Sequence, residues 1–211
     1  MTATPAAKTF SPKPVNQSIR IAALRIFFVL AAPLTLFTSS AWVESPWMSD
    51  ILEVCGVLFV VAAVLGRFWS ILYIGAIKNQ TVMQDGPYSM CRHPLYLFST
   101  IGVLGFGLML GSFTLSLFFG LSVYWILSAT AAREEGFLRS HFGPAYGIYA
   151  ARVPRIFPNF SLFKSPATIT ASVRAIRVNF ADALVFLAFI PLAELLQAVK
   201  QSGVVPTYPL Y

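Results

Sequence analysis

Apolar residues run along this chain in long uninterrupted blocks, and the charged positions fall between the blocks. Residues 26–43 carry no charge, and residues 93–132 form a charge-free stretch of 40. At a rise of about 1.5 Å per residue, forty residues suffice for two membrane crossings of ~20 residues each. The pattern predicts a first span over 21–43 and a second over 51–77. A third and a fourth divide the charge-free stretch at Gly111-Ser112, a small polar break suited to a tight hairpin. The fourth continues as helix through Arg133, Glu134, Glu135 and Leu138 until Gly143 and Pro144 stop it. Residues 144–166, rich in Pro, Tyr and Arg, read as an ordered cap over the helix ends. Ile169, Val173, Ile176 and Phe180 then recur at helical spacing with Arg174 and Arg177 turned elsewhere, the pattern of an interfacial amphipathic helix. A fifth crossing is expected over 178–199, although Asp182, Pro191 and Glu194 interrupt it.

The expectation is therefore an all-α, polytopic transmembrane bundle of about five spans. Its parts are a flexible tail (1–18), a first span with an outer loop (19–50), a core of three spans and a cap (51–160), and a C-terminal segment (161–211) holding the amphipathic and last hydrophobic helices. Composition agrees: 57% of the chain is apolar and 11% is charged, against about 25% charged in soluble domains. An extracellular disulfide scaffold, a basic nucleic-acid module and a disordered tail protein are excluded by the same figures. Cys55 and Cys91 are the two cysteines, and the topology puts them on opposite faces, too far apart to pair.

The net charge of +7 reads first as topology. Fourteen of the fifteen bases fall in or beside the N-tail (Lys8, Lys13, Arg20, Arg25), around the second connection (Arg67, Lys78, Arg92) and from Arg133 to Arg177, whereas the first connection holds Glu44, Asp50 and Glu53 without a base. This orients the N-terminus and the large connections toward the cytoplasm, in the inner membrane of a bacterium or the endoplasmic reticulum of a eukaryote. Arg67 lies about 24 Å along the helix from Ile51, a depth from which it is expected to snorkel to the headgroups. Gly107 and Gly111 have the small-x-x-x-small spacing of close helix packing.

Chemistry-bearing residues cluster in two segments that bracket spans three and four. The first runs from Gln80 through Thr81, Val82, Met83, Asp85, Gly86, Pro87 and Tyr88 to Cys91, Arg92, His93, Pro94, Leu95 and Tyr96. The second holds Arg133, Glu134, Glu135 and Leu138, then Phe142, Gly143, Tyr146 and Tyr149, then Val153, Pro154 and Arg155. A helical hairpin returns the end of span four beside the start of span three, so Arg92, His93 and Tyr96 should meet Glu134 and Glu135 at one membrane face. That is a cationic, hydrogen-bonding edge facing an acidic one at the mouth of an apolar bundle, a setting suited to a ligand pocket. The bland alternative is a solvated Glu pair bridged to Arg92 or Arg139. Cys91, His93 and His141 lack the paired spacing of zinc ligands, so no metal is expected.

On these residues the sequence resembles the isoprenylcysteine carboxyl methyltransferase family and the related membrane phospholipid methyltransferases. The likeness covers Gly86-Pro87-Tyr88, Arg92-His93-Pro94 with Tyr96, Glu134-Glu135 with Leu138, Phe142-Gly143 with Tyr146 and Tyr149, and Val153-Pro154-Arg155 with Pro158, over roughly 67–158. It implies an all-helical enzyme that binds S-adenosylmethionine in a pocket at the cytoplasmic face and methylates a lipid-like or prenylated substrate reaching it from the bilayer. Cofactor contacts would fall on Gln80, Thr81, Val82, Met83, Tyr88, His93, Pro94, Leu95, Tyr96 and Glu134, with Arg92 and Glu135 as candidate catalytic residues. The cofactor's chemistry suits them: an acid for its amine, donors for its carboxylate, an aromatic or apolar enclosure for its ring. Glu135 is expected either to serve as a base or to orient Arg92. Some carboxylate-methylating members place an arginine four residues before the cofactor-binding glutamate; here that position is Thr130. The C-terminal hydrophobic segment also departs from the family core and would line substrate entry or mediate homo-oligomerisation. The rival readings are a phospholipid N-methyltransferase, a nicotinamide-dependent sterol-type reductase and a non-catalytic membrane scaffold.

Overall fold

Helix ends in this protein are set by a few residue types placed where the backbone needs them. The computed structural model describes residues 17–42, 45–75 and 81–211. In chain order the elements are α1 (Gln17–Phe37), β1 (Thr38–Ser40), α2 (Pro46–Ile74), α3 (Pro87–Met90), α4 (Pro94–Met109), α5 (Phe113–Phe142), α6 (Pro144–Arg152), a 3-10 turn (Phe160–Leu162), α7 (Val173–Leu187), α8 (Phe189–Gln201) and β2 (Tyr208–Leu210). Proline opens α3, α4 and α6, where its missing N–H costs nothing and its fixed φ favours the first turn. Ser112 and Ser172 cap α5 and α7, their hydroxyls accepting from the N–H groups of Leu115 and Ala175.

Among the described residues four helices are long and apolar enough to cross a membrane: Gln17–Phe37, Trp47–Ile74, Phe113–Phe142 and, taken through a break at Ala188, Val173–Gln201. The shorter apolar helix Pro94–Met109 packs between α2 and α5. The predicted all-α polytopic architecture is what the structure shows. We call the end where α1 begins the proximal face and the end where it finishes the distal face. Helix α4 lies close on α2, where a Cβ on Gly105 would stand 2.6 Å from the Gly56 carbonyl oxygen. The backbones meet directly there because neither residue has a side chain. Gly111 does not extend this packing: it sits at φ 73° in the α4–α5 turn, a left-handed conformation that glycine adopts without strain.

Three expectations are corrected. The first span stops at Phe37 rather than near residue 43, and Thr38–Ser40 continue as a strand paired in parallel with Tyr208–Leu210. No separate interfacial helix forms over 169–180. Ile169 lies before the N-cap Ser172, and α7 packs on α2, with the rings of Phe68 and Phe180 5.2 Å apart and Ala175 against Gly75. Arg67 does not snorkel outward along its own helix: it turns across to α4, where its Nη1 donates to Ser99 Oγ at 2.7 Å. The interrupted C-terminal segment does run from one face to the other, since α7 starts beside the proximal end of α2 and β2 pairs with the distal strand. Pro191 lacks the N–H that the Leu187 carbonyl would accept, and the helix breaks at Ala188.

Candidate functional site

The α2–α4 connection and the cap after α5 are laced together through the backbone. Gly86, at φ 58°, donates its N–H to the Lys164 carbonyl at 2.8 Å. Arg92 and His93 donate theirs to the carbonyls of Pro154 and Arg155 at 2.9 and 3.0 Å, and Asn159 donates to Met90 at 3.0 Å. The Tyr149 hydroxyl donates to the Tyr88 carbonyl at 2.8 Å. Beneath the lacing, Tyr146, Tyr149 and Val153 form a small apolar core with Val82, Leu138, Phe142 and Leu162. Residues 84–93 are thereby fixed across the proximal ends of α4 and α5, with the single turn of α3 as their helical part.

Helix α5 carries the acids into this frame. At about 1.5 Å per residue, Glu134 and Glu135 lie some 32 Å from Phe113, just past the hydrocarbon thickness. Neighbours on a helix point about 100° apart, and the two carboxylates have different fates. Glu135 is buried and clamped: Arg155 Nε and Nη2 donate to its two oxygens at 3.0 Å each, Arg92 Nη1 stands at 3.3 Å and His93 Nε2 at 3.3 Å. Its oxygens are fully committed, so it holds Arg92 and Arg155 rather than standing ready to take a proton. Glu134 is looser. It accepts from Gln17 Nε2 at 2.7 Å and faces His93 Nδ1 at 3.7 Å. The His93 imidazole thus lies between the two acids and stacks on Tyr96, centroids 5.4 Å apart and planes 4° apart. Tyr96 in turn accepts from Arg20 Nη1 at 3.0 Å.

Among the described residues seven buried side-chain atoms lack a hydrogen-bond partner, and six belong to this proximal region: Gln17 Oε1, Arg67 Nε, Tyr88 Oη, Arg92 Nε, Tyr146 Oη and His93 Nε2, the last within ion-pair distance of Glu135 but out of hydrogen-bonding geometry. Buried polar groups are nearly always paired, so six unpaired ones at one end of the bundle mark that end as the one where a polar ligand finds unfilled partners. Burial pushes the Tyr146 phenol up to about 12 and the Tyr88 phenol well above its usual value, so both remain neutral donors. Burial likewise pushes the Cys91 thiol up to about 12.

Of the residues singled out in the sequence, the fold brings Tyr88, Arg92, His93, Tyr96, Glu134 and Glu135 to one place. Pro94 is buried in the first turn of α4, and Leu95 is half-buried with its carbonyl accepting from Ser99. Val82 joins the cap core, Met83 is half-buried and Thr81 is exposed. Gln80 lies outside the described residues. The sequence reading missed Gln17 and Arg20, which it assigned to the tail and to topology; their i, i+3 spacing at the start of an apolar helix was the available signal. It also gave no role to Tyr146 and Arg155, although both lie within the recognised pattern.

Residues 47–145 match the phospholipid methyltransferase family. The chain is 37% identical over 179 residues to the cobalt-zinc-cadmium resistance protein CzcN of Cupriavidus metallidurans, which covers 85% of this chain and 81% of that one. It is 32% identical over 202 residues to the nickel-cobalt-cadmium resistance protein NccN of Alcaligenes xylosoxydans xylosoxydans, covering 95% and 94%. Over 81 residues it is 36% identical to the protein-S-isoprenylcysteine O-methyltransferase of Schizosaccharomyces pombe, covering 38% of this chain and 34% of that enzyme. No solved structure matches the chain.

Proposed function

The chain belongs to the membrane methyltransferase family, and from that premise we propose that it transfers a methyl group from S-adenosylmethionine to a lipophilic acceptor at its proximal face, which lies in the cytoplasm. The observation that carries this reading is the set of unpaired buried polar atoms gathered around Glu134, Tyr88, Arg92 and His93. The donor set fits the cofactor. Glu134 exchanges its Gln17 partner for the cofactor's ammonium, and Arg92 and the neutral Tyr88 and Tyr146 phenols offer donors to its carboxylate. The stacked His93–Tyr96 pair gives the adenine an aromatic wall, with Met83 and Leu95 beside it. Thr81 and Val82 contribute through the backbone of the segment that carries them, and Gln80 is assigned with them on resemblance.

The residues that would hold S-adenosylmethionine are Glu134, Tyr88, Arg92, His93 and Tyr96, and the group would supply there an electrophilic methyl on a sulfonium, the carbon–sulfur bond giving way to the bond with the acceptor's nucleophilic atom. What the protein adds is position and the exclusion of water. Arg155 and Glu135 hold Arg92 in place, and the laced cap keeps bulk water from the mouth of the bundle. Glu135 acts here as a positioning residue. The acceptor enters from the bilayer, as the apolar surroundings of the site favour.

Calorimetric titration of S-adenosylmethionine into the detergent-purified protein tests the reading, beside a Glu134→Ala variant and a nicotinamide-cofactor control. Saturable binding by the native protein and at least about tenfold weaker binding by the variant is expected, since a hydrogen-bonded charge pair is lost. A folded protein that binds the nicotinamide cofactor instead is a reductase, and one that binds neither is a scaffold; either result overturns the proposal.

A further inference from the structure

Two guanidinium groups turn into the bundle just below the proposed cofactor site, and among the described residues no carboxylate lies within ion-pair distance of either. Arg67 comes from α2 and Arg20 from α1. Arg67 Nη1 donates to Ser99 Oγ at 2.7 Å, its guanidinium lies 5.2 Å from the Phe186 ring of α7, and its Nε is buried without a partner. Arg20 Nη1 donates to the Tyr96 hydroxyl at 3.0 Å, with its guanidinium 5.6 Å from that ring. Tyr96 and Ser99 are three residues apart on α4, so the two arginines are held on neighbouring turns of one helix face. They lie within electrostatic reach of one another, and Asp182 acts on Arg67 from beyond ion-pair distance.

Two cations held on one helix face at the rim of an apolar bundle repel one another, and Asp182 on α7, which acts on Arg67 more strongly than Arg20 does, offsets that repulsion without closing an ion pair, so both guanidinium groups keep donors for an anion. On the same face Arg92 and Arg155 are taken up by Glu135 and Lys164 by Asp85, while Arg152 donates to the neutral Gln84. Ser99 lies about 7 Å down α4 from Pro94, so the pair sits at the depth where a lipid's headgroup joins its chain. Phe186 on α7 and the bilayer-exposed Val185 and Leu184 beside it provide an apolar approach.

We propose that Arg20 and Arg67, aligned by Tyr96 and Ser99, form a subsite for the anionic head group, carboxylate or phosphate, of an amphiphile that enters from the bilayer and is presented as the methyl acceptor. The subsite rests on the proposed methyltransferase reading for its role, while its existence as an anion site stands on the geometry alone. An acceptor with only a cationic head is repelled there. With Glu135 committed to its arginines and Glu134 to the cofactor, an ammonium would also find no free base among the described acids of the site to remove its proton.

Native mass spectrometry of the intact protein in neutral detergent, titrated with laurate, dodecyl phosphate and dodecylamine in parallel, tests this. The expected result is one tightly held laurate or dodecyl phosphate per chain and none of the amine. Arg67→Gln weakens the bound anion about tenfold, Arg67→Lys restores part of the affinity, and Ser99→Ala, which keeps the charge and frees its direction, weakens it less. Preference for laurate assigns a carboxylate head and preference for dodecyl phosphate assigns a phosphate head. Equal retention of anion and amine, or equal anion retention by the native protein and a folded Arg67→Gln, overturns the proposal. S-adenosylmethionine titration of the same samples keeps the two readings apart. A protein that holds the anion through Arg67 and binds no S-adenosylmethionine retains the subsite and loses the methyltransferase role, and the converse result removes the subsite alone.

Discussion

The two ends of this bundle solve the same problem in opposite ways. At the distal end, exposed helix termini are stitched to one another. Thr38–Ser40 pair with Tyr208–Leu210, Ser112 Oγ donates to the Tyr211 carbonyl at 2.8 Å, Thr114 N–H donates to the same carbonyl at 2.7 Å, and Ser40 Oγ donates to Gly111 at 2.9 Å. One buried polar atom there, Trp42 Nε1, is left without a partner. At the proximal end the backbone is just as thoroughly laced, yet six side-chain atoms remain unpaired above it. The distal end is built to be finished by itself. The proximal end combines a fixed frame with side chains left unfinished, which is what a binding site needs if its ligand is to supply the missing partners.

The sharpest way to break that contrast is to remove the group that fixes the proximal frame. Glu135→Ala leaves Arg92 and Arg155 facing one another without their shared carboxylate, and loss of one partner from a buried ion pair costs about 3–5 kcal/mol. Thermal unfolding in detergent should show a large drop in midpoint for this variant, with S-adenosylmethionine binding lost as well. A variant as stable as the native protein would mean that the lacing, and not the Glu135 clamp, holds the cap.

The distal counterpart should be milder and should leave the ligand alone. Ser112→Ala removes both the cap of α5 and the bond to Tyr211, a loss of about 1 kcal/mol on the usual scale for N-caps. Unfolding should shift slightly while cofactor affinity stays at its native value. A matching fall in affinity would show that the two ends are coupled along α5. Gln17→Ala has the opposite sign at the proximal face. If Glu134 holds the cofactor's ammonium as proposed, the variant frees it from a neutral partner that the ammonium must displace, so calorimetry should find affinity raised several-fold, roughly the 0.5–1.5 kcal/mol of one exchanged hydrogen bond. Weaker binding would mean that Gln17 itself touches the ligand.

The contrast also explains what the sequence could reveal. Spans and their order were legible because hydropathy in a bilayer is a one-dimensional signal: charge-free length, the Gly111-Ser112 break and the Gly143-Pro144 stop each act locally. The meeting of Arg92, His93 and Tyr96 with Glu134 and Glu135 was legible for a related reason, since a hairpin of two helices must bring those ends together. Side-chain direction was not. Whether Arg67 rises to the headgroups or turns to Ser99 depends on α7 lying across it, and Gln17 and Arg20 join the site through the tilt of α1. The β1–β2 pair was hidden because each strand is three residues long and its partner is about 170 residues away.

The smallest effect expected is none at all, and it tests whether the unfinished end is rigid. Cys91 lies in the non-helical turn between α3 and α4, directly beside Arg92, and is 1% exposed. Burial pushes its thiol up to about 12, so at pH 8 roughly one molecule in 10,000 carries the reactive thiolate even before access is considered. In a Cys55→Ala background, iodoacetamide at pH 8 should leave the folded protein unmodified by mass spectrometry and alkylate it fully once it is unfolded in SDS. Reactivity of the folded form should rise only as the pH approaches 12. Ready alkylation at pH 8 would mean that the segment from Gly86 to His93 opens on the timescale of the reaction. The unpaired atoms of Tyr88, Arg92 and His93 would then mark a loose end, and the difference between the two faces would be one of order rather than of purpose.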